Sequence, residues 1–258
     1  EWLWFSQLTF GQVFVKILSA RVWVFLLVTA IVFLCVWPQC HVARKFSRDL
    51  PVPILTRLIP IDDKLMLDRY VDRYLFWVIL LFSAAGGLMA SGRWDCLLRF
   101  ANWVPFGATD PIFHKEIAFY VFRLPFWQLV WQAVYAGAIL GLVGAALIYV
   151  YDDIIQLASE RAYIAPKALG HLSLAAALVF VLKGVGYQLN AWKLLYSTRG
   201  VTHGVGYVDA HVFLPAYRIL FVAALVVAAV LAWNYRRRSF KLGVGTVGAH
   251  LALSVLLL

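Results

Sequence analysis

The chain has 258 residues, 63% of them hydrophobic and only 14% charged, and its mean hydropathy is +0.81. Soluble globular proteins carry about a quarter charged residues, so this composition excludes a single water-soluble core and points to a polytopic membrane protein. The formal net charge of +10 has a matching explanation: basic residues flank spans and meet anionic headgroups, and no compact basic motif marks a nucleic-acid site. The expected fold class is all-α, a transmembrane helical bundle with interfacial amphipathic helices.

The chain opens E-W-L-W-F-S-Q-L-T-F, and Trp2, Trp4, Phe5 and Phe10 suit the headgroup zone, where rings are both apolar and wettable. A first span is expected over 18–40, with Pro38 helping to stop it. His41 to Arg73 reads as a polar connection. Its first half, H-V-A-R-K-F-S-R, is basic; its second, I-D-D-K-L-M-L-D-R-Y-V-D-R-Y, is of mixed charge and is expected to form an interfacial helix. A second span follows over 74–92, with Gly86 and Gly87 permitting close helix contact or a bend.

Asp110 to Phe126, D-P-I-F-H-K-E-I-A-F-Y-V-F-R-L-P-F, is too charged to cross a bilayer and too aromatic to float free of one. An interfacial helix is expected over 110–123, with Asp110 as its N-cap and Pro111 at its first position, where the missing N–H costs nothing. Phe113, Phe119, Tyr120 and Phe122, with Pro125 and Phe126 after them, make it a candidate docking and positioning element. The charge-free run Leu124 to Tyr151 is the third expected span. Its stripe of Gly137, Gly141 and Gly144 is a candidate helix-packing surface. Three more spans are expected over 168–190, 213–234 and 242–258. The chain begins at Glu1 rather than Met and stops within an apolar run, so both ends are expected to be trimmed, with more chain following Leu258.

Alternate connections differ in charge. The loops 41–73, 152–167 and 235–241 hold thirteen Lys and Arg, against seven in the alternate segments, Lys16 among them. Positive residues favour the cytoplasm, so these three loops are expected inside a bacterial cytoplasmic membrane and the Asp110 stretch outside.

Candidate chemistry is sparse. T-H-G-V-G-Y-V-D-A-H places His203, Asp209 and His211 close together, a set that could supply metal ligands or a proton relay. The spacing fits no defined zinc pattern, and the alternative is structural: Asp209 capping the fifth span and His211 bonding nearby backbone. His171 and His250 fall within spans and, with His211, are candidate ligands for haem or a chlorophyll-type pigment. Lys183 and Arg218 are the charges nearest the membrane interior, marking either a pathway or side chains reaching the interface. Cys35, Cys40 and Cys96 form no C-x-x-C pair and read as small buried hydrophobes. No nucleotide loop, H-E-x-x-H or G-x-S-x-G is present.

Three stretches carry a resemblance: E-W-L-W-F at Glu1 to Phe5, D-P-x-F-x-x-x-I-x-F-Y-x-F-x-L-P-F at Asp110 to Phe126, and L-Y-S-T-R-G…G-x-G-Y-x-D-x-H-x-x-L-P at Leu195 to Pro215. Together they resemble the bacterial membrane proteins grouped as uncharacterised protein family zero-one-eight-two, across essentially the whole chain and in the right order. The resemblance implies a seven-span protein with one span before the W-L-W-F segment and a large extracytoplasmic region after the last. It implies no activity, cofactor or catalytic residue. This sequence departs from the pattern at Thr9, where Gly is usual, and at His114 to Glu116, where Gly-x-Asp is usual.

The expected function is that of a non-catalytic structural or accessory subunit, with membrane lipids and other membrane-protein subunits as partners. A transporter or channel is the first alternative and a pigment- or haem-binding subunit the second. The orientation yields a direct expectation: a cysteine placed at Ser239 stays unlabelled by an impermeant maleimide in intact cells and is labelled once the membrane is opened. Labelling from outside overturns the orientation.

Overall fold

The computed structural model describes residues 2–48, 61–156, 163–198 and 204–258. The protein is all-α: α1 (Trp2–Gln7), α2 (Gly11–Arg48), α3 (Ile61–Ala90), α4 (Trp94–Ala101), α5 (Leu124–Tyr151), α6 (Pro166–Lys193), α7 (Leu214–Arg237) and α8 (Phe240–Leu257). A ribbon of two-residue strands, β1 (Ile155–Gln156) and β2 (Tyr163–Ile164), pairs antiparallel with Ile155 opposite Ile164. Among the described residues, six segments are long and apolar enough to cross a membrane: Gly11–Arg48, Leu67–Ala101, Phe119–Tyr151, Pro166–Tyr196, Asp209–Arg237 and Phe240–Leu257.

The chain forms two compact units, Glu1–Leu34 with Leu75–Val134, and Cys35–Tyr74 with Tyr135–Leu258. In the first, α1 folds back on α2 through aromatic contacts: Trp2 and Phe5 lie 5.4 and 5.6 Å from the Phe14 ring. Gly87 lets α3 approach α2 closely. A Cβ there would sit 2.6 Å from the Phe25 carbonyl oxygen and would also collide with Thr29 Oγ1. Gly86 faces open space, so the close approach belongs to Gly87 alone. The short helix α4 buries Cys96, stacks Phe100 on Phe126 at 4.3 Å and closes its exposed face with an Asp95–Arg99 pair at 2.9 Å.

In the second unit, α6 and α7 pack antiparallel. Gly184 faces Phe221, Ala224 and Leu225, and Gly170 faces Tyr235. Ala177, Phe180, Tyr187, Leu220, Ala224 and Leu231 form the core between them, with Val247, Leu253 and Leu257 of α8 against it. Asn234 is fully buried and ties three segments together. Its Nδ2 donates to Ser173 Oγ and to the Ser239 carbonyl, and its Oδ1 accepts from the Ser239 N–H. In hydrocarbon each of those groups would otherwise stay unsatisfied. On α5, a Cβ at Gly141 would lie 3.1 Å from the Cys35 carbonyl oxygen and one at Gly144 2.8 Å from Cys40 Sγ, so these glycines set the approach of α5 to α2. Gly137 is buried on the same helix.

Three expectations are corrected. Pro38 does not stop the first span: α2 runs through it to Arg48. The mixed-charge stretch is no separate interfacial helix but the first turns of α3. The helix expected from Asp110 also does not form there. Asp110 Oδ2 accepts the Phe113 N–H, the Asp110 N–H bonds the Lys115 carbonyl, and Thr109 bridges Glu116, which makes residues 109–116 a closed loop. Helical geometry begins only at Ile117. An Asp-Pro pair serves an Asx turn as readily as an N-cap, and here the backbone bridge decides for the turn.

Helices α5 and α7 share a start that the sequence did not suggest. Each follows a π-turn, Phe119–Arg123 and Asp209–Phe213, and each π-turn runs into Leu-Pro. Pro125 and Pro215 lack an N–H and crowd the carbonyl four residues back. The wider turn absorbs that crowding, with Leu124 N–H bonding the Phe119 carbonyl and Leu214 N–H that of Asp209.

Thr9 (φ 65°) and His114 (φ 54°) occupy the left-handed region. They are the two departures at which the resembled pattern carries Gly, and a β-branched residue is poorly suited to that geometry. Thr9→Gly is therefore expected to stabilise the fold by up to about 1 kcal/mol, raising the thermal midpoint in detergent, whereas Thr9→Val gains nothing. An unchanged midpoint for Thr9→Gly would show that the left-handed conformation carries no strain.

Candidate functional site: an ionic centre on Arg44

The last turn of α2 presents Arg44 and Arg48, and α3 presents Asp68 and Asp72, each pair four residues apart and so on one helix face. Asp152 follows the end of α5. These side chains meet at Arg44, whose own side chain is only 8% exposed. Its Nη2 donates to Asp68 Oδ1 at 2.6 Å, its Nε to Asp72 Oδ1 at 3.1 Å and its Nη1 to Asp152 Oδ1 at 2.6 Å. Arg48 pairs with the second oxygen of Asp72. Tyr151 donates to Asp68 at 3.3 Å, and its ring lies 5.6 Å from the Arg44 guanidinium. Arg44 is thus the common partner of carboxylates that follow or lie on two other helices.

The geometry suits a guanidinium and little else. Five N–H groups in a rigid planar fork can address carboxylates from several sides at once, while an ammonium offers a single point charge. Two arginines face three aspartates, so the centre carries one excess negative charge. Asp152 Oδ2 is buried without a hydrogen-bond partner. The α5 terminus is shaped to place that residue: Asp153 turns left-handed (φ 59°), and the N–H groups of Asp152 and Ile154 close onto Ile148 and Tyr149. What the arrangement does chemically is join α2, α3 and the end of α5.

Sequence reasoning did not find this centre. The signal was present as R-x-x-x-R in 44–48 and D-x-x-x-D in 68–72, two complementary helix-face pairs. The partners are 24 to 108 residues apart in the chain, and no local pattern announces that pairing.

The sequence-predicted candidates lie elsewhere. Asp209 is buried and accepts the Gly206 N–H at 3.2 Å; His211 stacks on Tyr207 at 4.1 Å and bonds its carbonyl through Nδ1 at 3.0 Å. His203 falls outside the described residues. Among those described, no three His, Cys, Asp or Glu side chains converge so as to hold a metal ion. His250 is 2% exposed, packs edge-on to Phe180 at 5.2 Å and lies 3.3 Å from the Tyr187 hydroxyl. A macrocycle could reach it only by displacing that packing. Lys183 stands over the Phe180 and Tyr187 rings at 5.7 and 6.0 Å, while Arg218 is exposed. His171 is half-buried, its Nδ1 held 2.9 Å from the Tyr149 hydroxyl.

The aromatic stretch is largely turned inward. Asp110 is buried beside the Tyr120 hydroxyl, Phe122 meets Phe106 at 5.7 Å, and Arg123 lies 4.2 Å over Trp103. Phe126 packs on Phe100, and Phe113 and Phe119 are half-buried. Pro111 and Ile112 remain exposed at the tip of the loop.

A family model described as "Uncharacterised protein family (UPF0182)" matches residues 1–258. The chain belongs to this family. It is 34% identical to a UPF0182 protein of Desulforamulus reducens, covering all of this chain and 29% of that protein. It is 31% identical to one of Moorella thermoacetica, covering 94% of this chain and 27% of the relative, and 33% identical to one of Salinibacter ruber, covering 96% and 26%. The chain therefore spans less than a third of the length of these UPF0182 relatives. No solved structure matches it.

The ionic centre sets a stability order. Arg44→Met leaves Asp152 buried without its cation and is expected to cost roughly 3–5 kcal/mol. Arg44→Lys recovers only part of that. Asp72 is 38% exposed, so Asp72→Asn is expected to cost no more than about 1 kcal/mol. Thermal or denaturant unfolding in detergent ranks the three variants, and an Arg44→Met protein as stable as wild type would remove the centre from the account of the fold.

Proposed function

We propose that this protein is a non-catalytic structural or accessory subunit of a larger complex in the bacterial cytoplasmic membrane, with the basic segments 41–73, 152–167 and 235–241 on the cytoplasmic side. The observation that carries this reading is the use made of Arg44: the most concentrated set of charges described in the chain joins helices, with each of its close contacts going to another part of the chain. Asp110 and Asp209 act the same way, each folding a turn ahead of a span.

Surface composition supports the same reading. Leu81, Phe82, Leu88 and Met89 of α3 and Val255 and Leu256 of α8 are all at least two-thirds exposed. Within a bilayer such faces meet lipid or another protein, and association there follows from close packing and polar contacts rather than from release of water. The relatives are more than three times as long as the matched region, so part of the covering can come from elsewhere in the same polypeptide and part from other subunits.

Mild crosslinking of native membranes, followed by detergent extraction through a tag on the full-length protein, tests the proposal. The expected result is a discrete high-mass species containing a second polypeptide in fixed ratio, diminished by a Leu81→Lys/Phe82→Lys double variant that still inserts. A protein that runs alone with and without crosslinker would sink it.

A further inference from the structure

An open groove of about 880 Å³ runs along the second unit between α2, α6 and α7. Its walls are almost wholly apolar, from Val42 and Phe46 on α2, Leu174 and Leu178 on α6, and Ala229 and Ala232 on α7. Three side chains with polar groups also line it, Gln39, His171 and Tyr235. Gln39 has its Oε1 buried without a hydrogen-bond partner. His171 is held at Nδ1 by Tyr149 and edge-on by the Phe46 ring at 5.9 Å, which leaves Nε2 as its available polar atom.

Each helix that walls the groove continues, at one end of it, into an exposed basic residue. On α2 the row through Val42 reaches Lys45; on α6 the row through His171 reaches Lys167, four residues back; on α7 the row through Ala232 reaches Arg236, four residues on. These three helix ends lie together, as the Phe46–His171 ring contact, the Tyr235 packing on Gly170 and the Asn234–Ser173 bond require. Lys45, Lys167 and Arg236 form no ion pair among the described residues, unlike Arg44 and Arg48 beside them.

In a bilayer an apolar groove gains little by exchanging one hydrocarbon chain for another. Selection must come from the polar groups, and these comprise an amide, an imidazole and a phenol in the lining, with three cations, unpaired among the described residues, at the mouth. An acyl chain fits the walls, an ester carbonyl or a hydroxyl can meet the Gln39 amide in either of its orientations, and a phosphodiester matches the basic rim. We infer that the groove is a selective site for an anionic phospholipid, its chain lying against Leu174, Leu178 and Ala229 and its phosphate among Lys45, Lys167 and Arg236. The site goes beyond the subunit reading, and neither depends on the other.

The test uses the full-length protein in detergent with a phosphatidylglycerol that carries a diazirine on one acyl chain, crosslinked and mapped by peptide mass spectrometry. Labelling is expected at groove residues of α6 and α7, and unlabelled phosphatidylglycerol is expected to compete roughly tenfold better than phosphatidylcholine. A Lys45→Gln/Lys167→Gln/Arg236→Gln triple variant should still label but lose that preference. Ala229→Trp, which fills the groove, should lose the labelling itself. The wild-type map decides even if a variant fails to fold. Labelling that misses the groove, equal competition by phosphatidylcholine, or groove residues left unlabelled because another segment of the full-length protein or a different lipid occupies them would each overturn the inference.

Discussion

At one end of the second unit, the joining of α2, α3 and the end of α5 depends on how a single guanidinium is satisfied. Arg44 is nearly buried, and a charge in that position is tolerable only if its donors find acceptors. Three carboxylates supply them, each from a different place in the chain. The requirement runs in both directions. Without the guanidinium, Asp152 is a buried anion with one oxygen already unpartnered, and Asp68 and Asp72 face each other across one turn of α3 as like charges. This centre therefore gives the ends of α2, α3 and α5 a defined arrangement, where apolar packing in a membrane distinguishes poorly between one sliding position and the next.

The same economy appears at the other polar residues inside the helical region. Asn234 uses both ends of its amide to join α6, α7 and the start of α8. Tyr187 bridges His250 and Ser254 across α6 and α8. These are single residues in otherwise apolar surroundings, and each defines a unique arrangement where hydrocarbon side chains alone would permit several. In the groove on α2, α6 and α7, by contrast, Gln39 Oε1 finds no hydrogen-bond partner among the described residues, as is also true of Asp152 Oδ2 and His250 Nδ1.

Composition and charge-free runs were enough to read the all-α membrane class, because a bilayer leaves helices as the answer to repeated apolar stretches. The three motifs were enough to read the family. The ionic centre was not legible, since its pairing spans long sequence separations and each half alone looks like an ordinary basic or mixed-charge flank. The Asp110 loop was misread for a different reason. Asp-Pro is compatible with a helix start and with an Asx turn, and the choice was made by the backbone bridge between Thr109 and Glu116, whose side chain also accepts the Phe106 N–H. Gly87 and Gly86 are adjacent and chemically identical, and only the neighbour across the interface tells which one the packing requires.

Pro38 shows how the centre reaches beyond its own contacts. A proline inside a helix removes one backbone hydrogen bond and crowds the preceding turn, a cost of about 3 kcal/mol or more, and the sequence gives every reason for α2 to end there. The helix persists because both sides of the break are held from outside it. Just before and after Pro38, Cys35 and Gln39 lie against Gly141, and Cys40 against Gly144; six residues further on, Arg44 is clamped by its carboxylates. Helix α2 is about 57 Å long by its residue count, well beyond the roughly 30 Å of bilayer hydrocarbon. Its final turns therefore have little reason to stay helical on hydrophobicity alone. The ionic centre supplies that reason, and in doing so it keeps Val42 and Phe46 in the helical row that walls the groove.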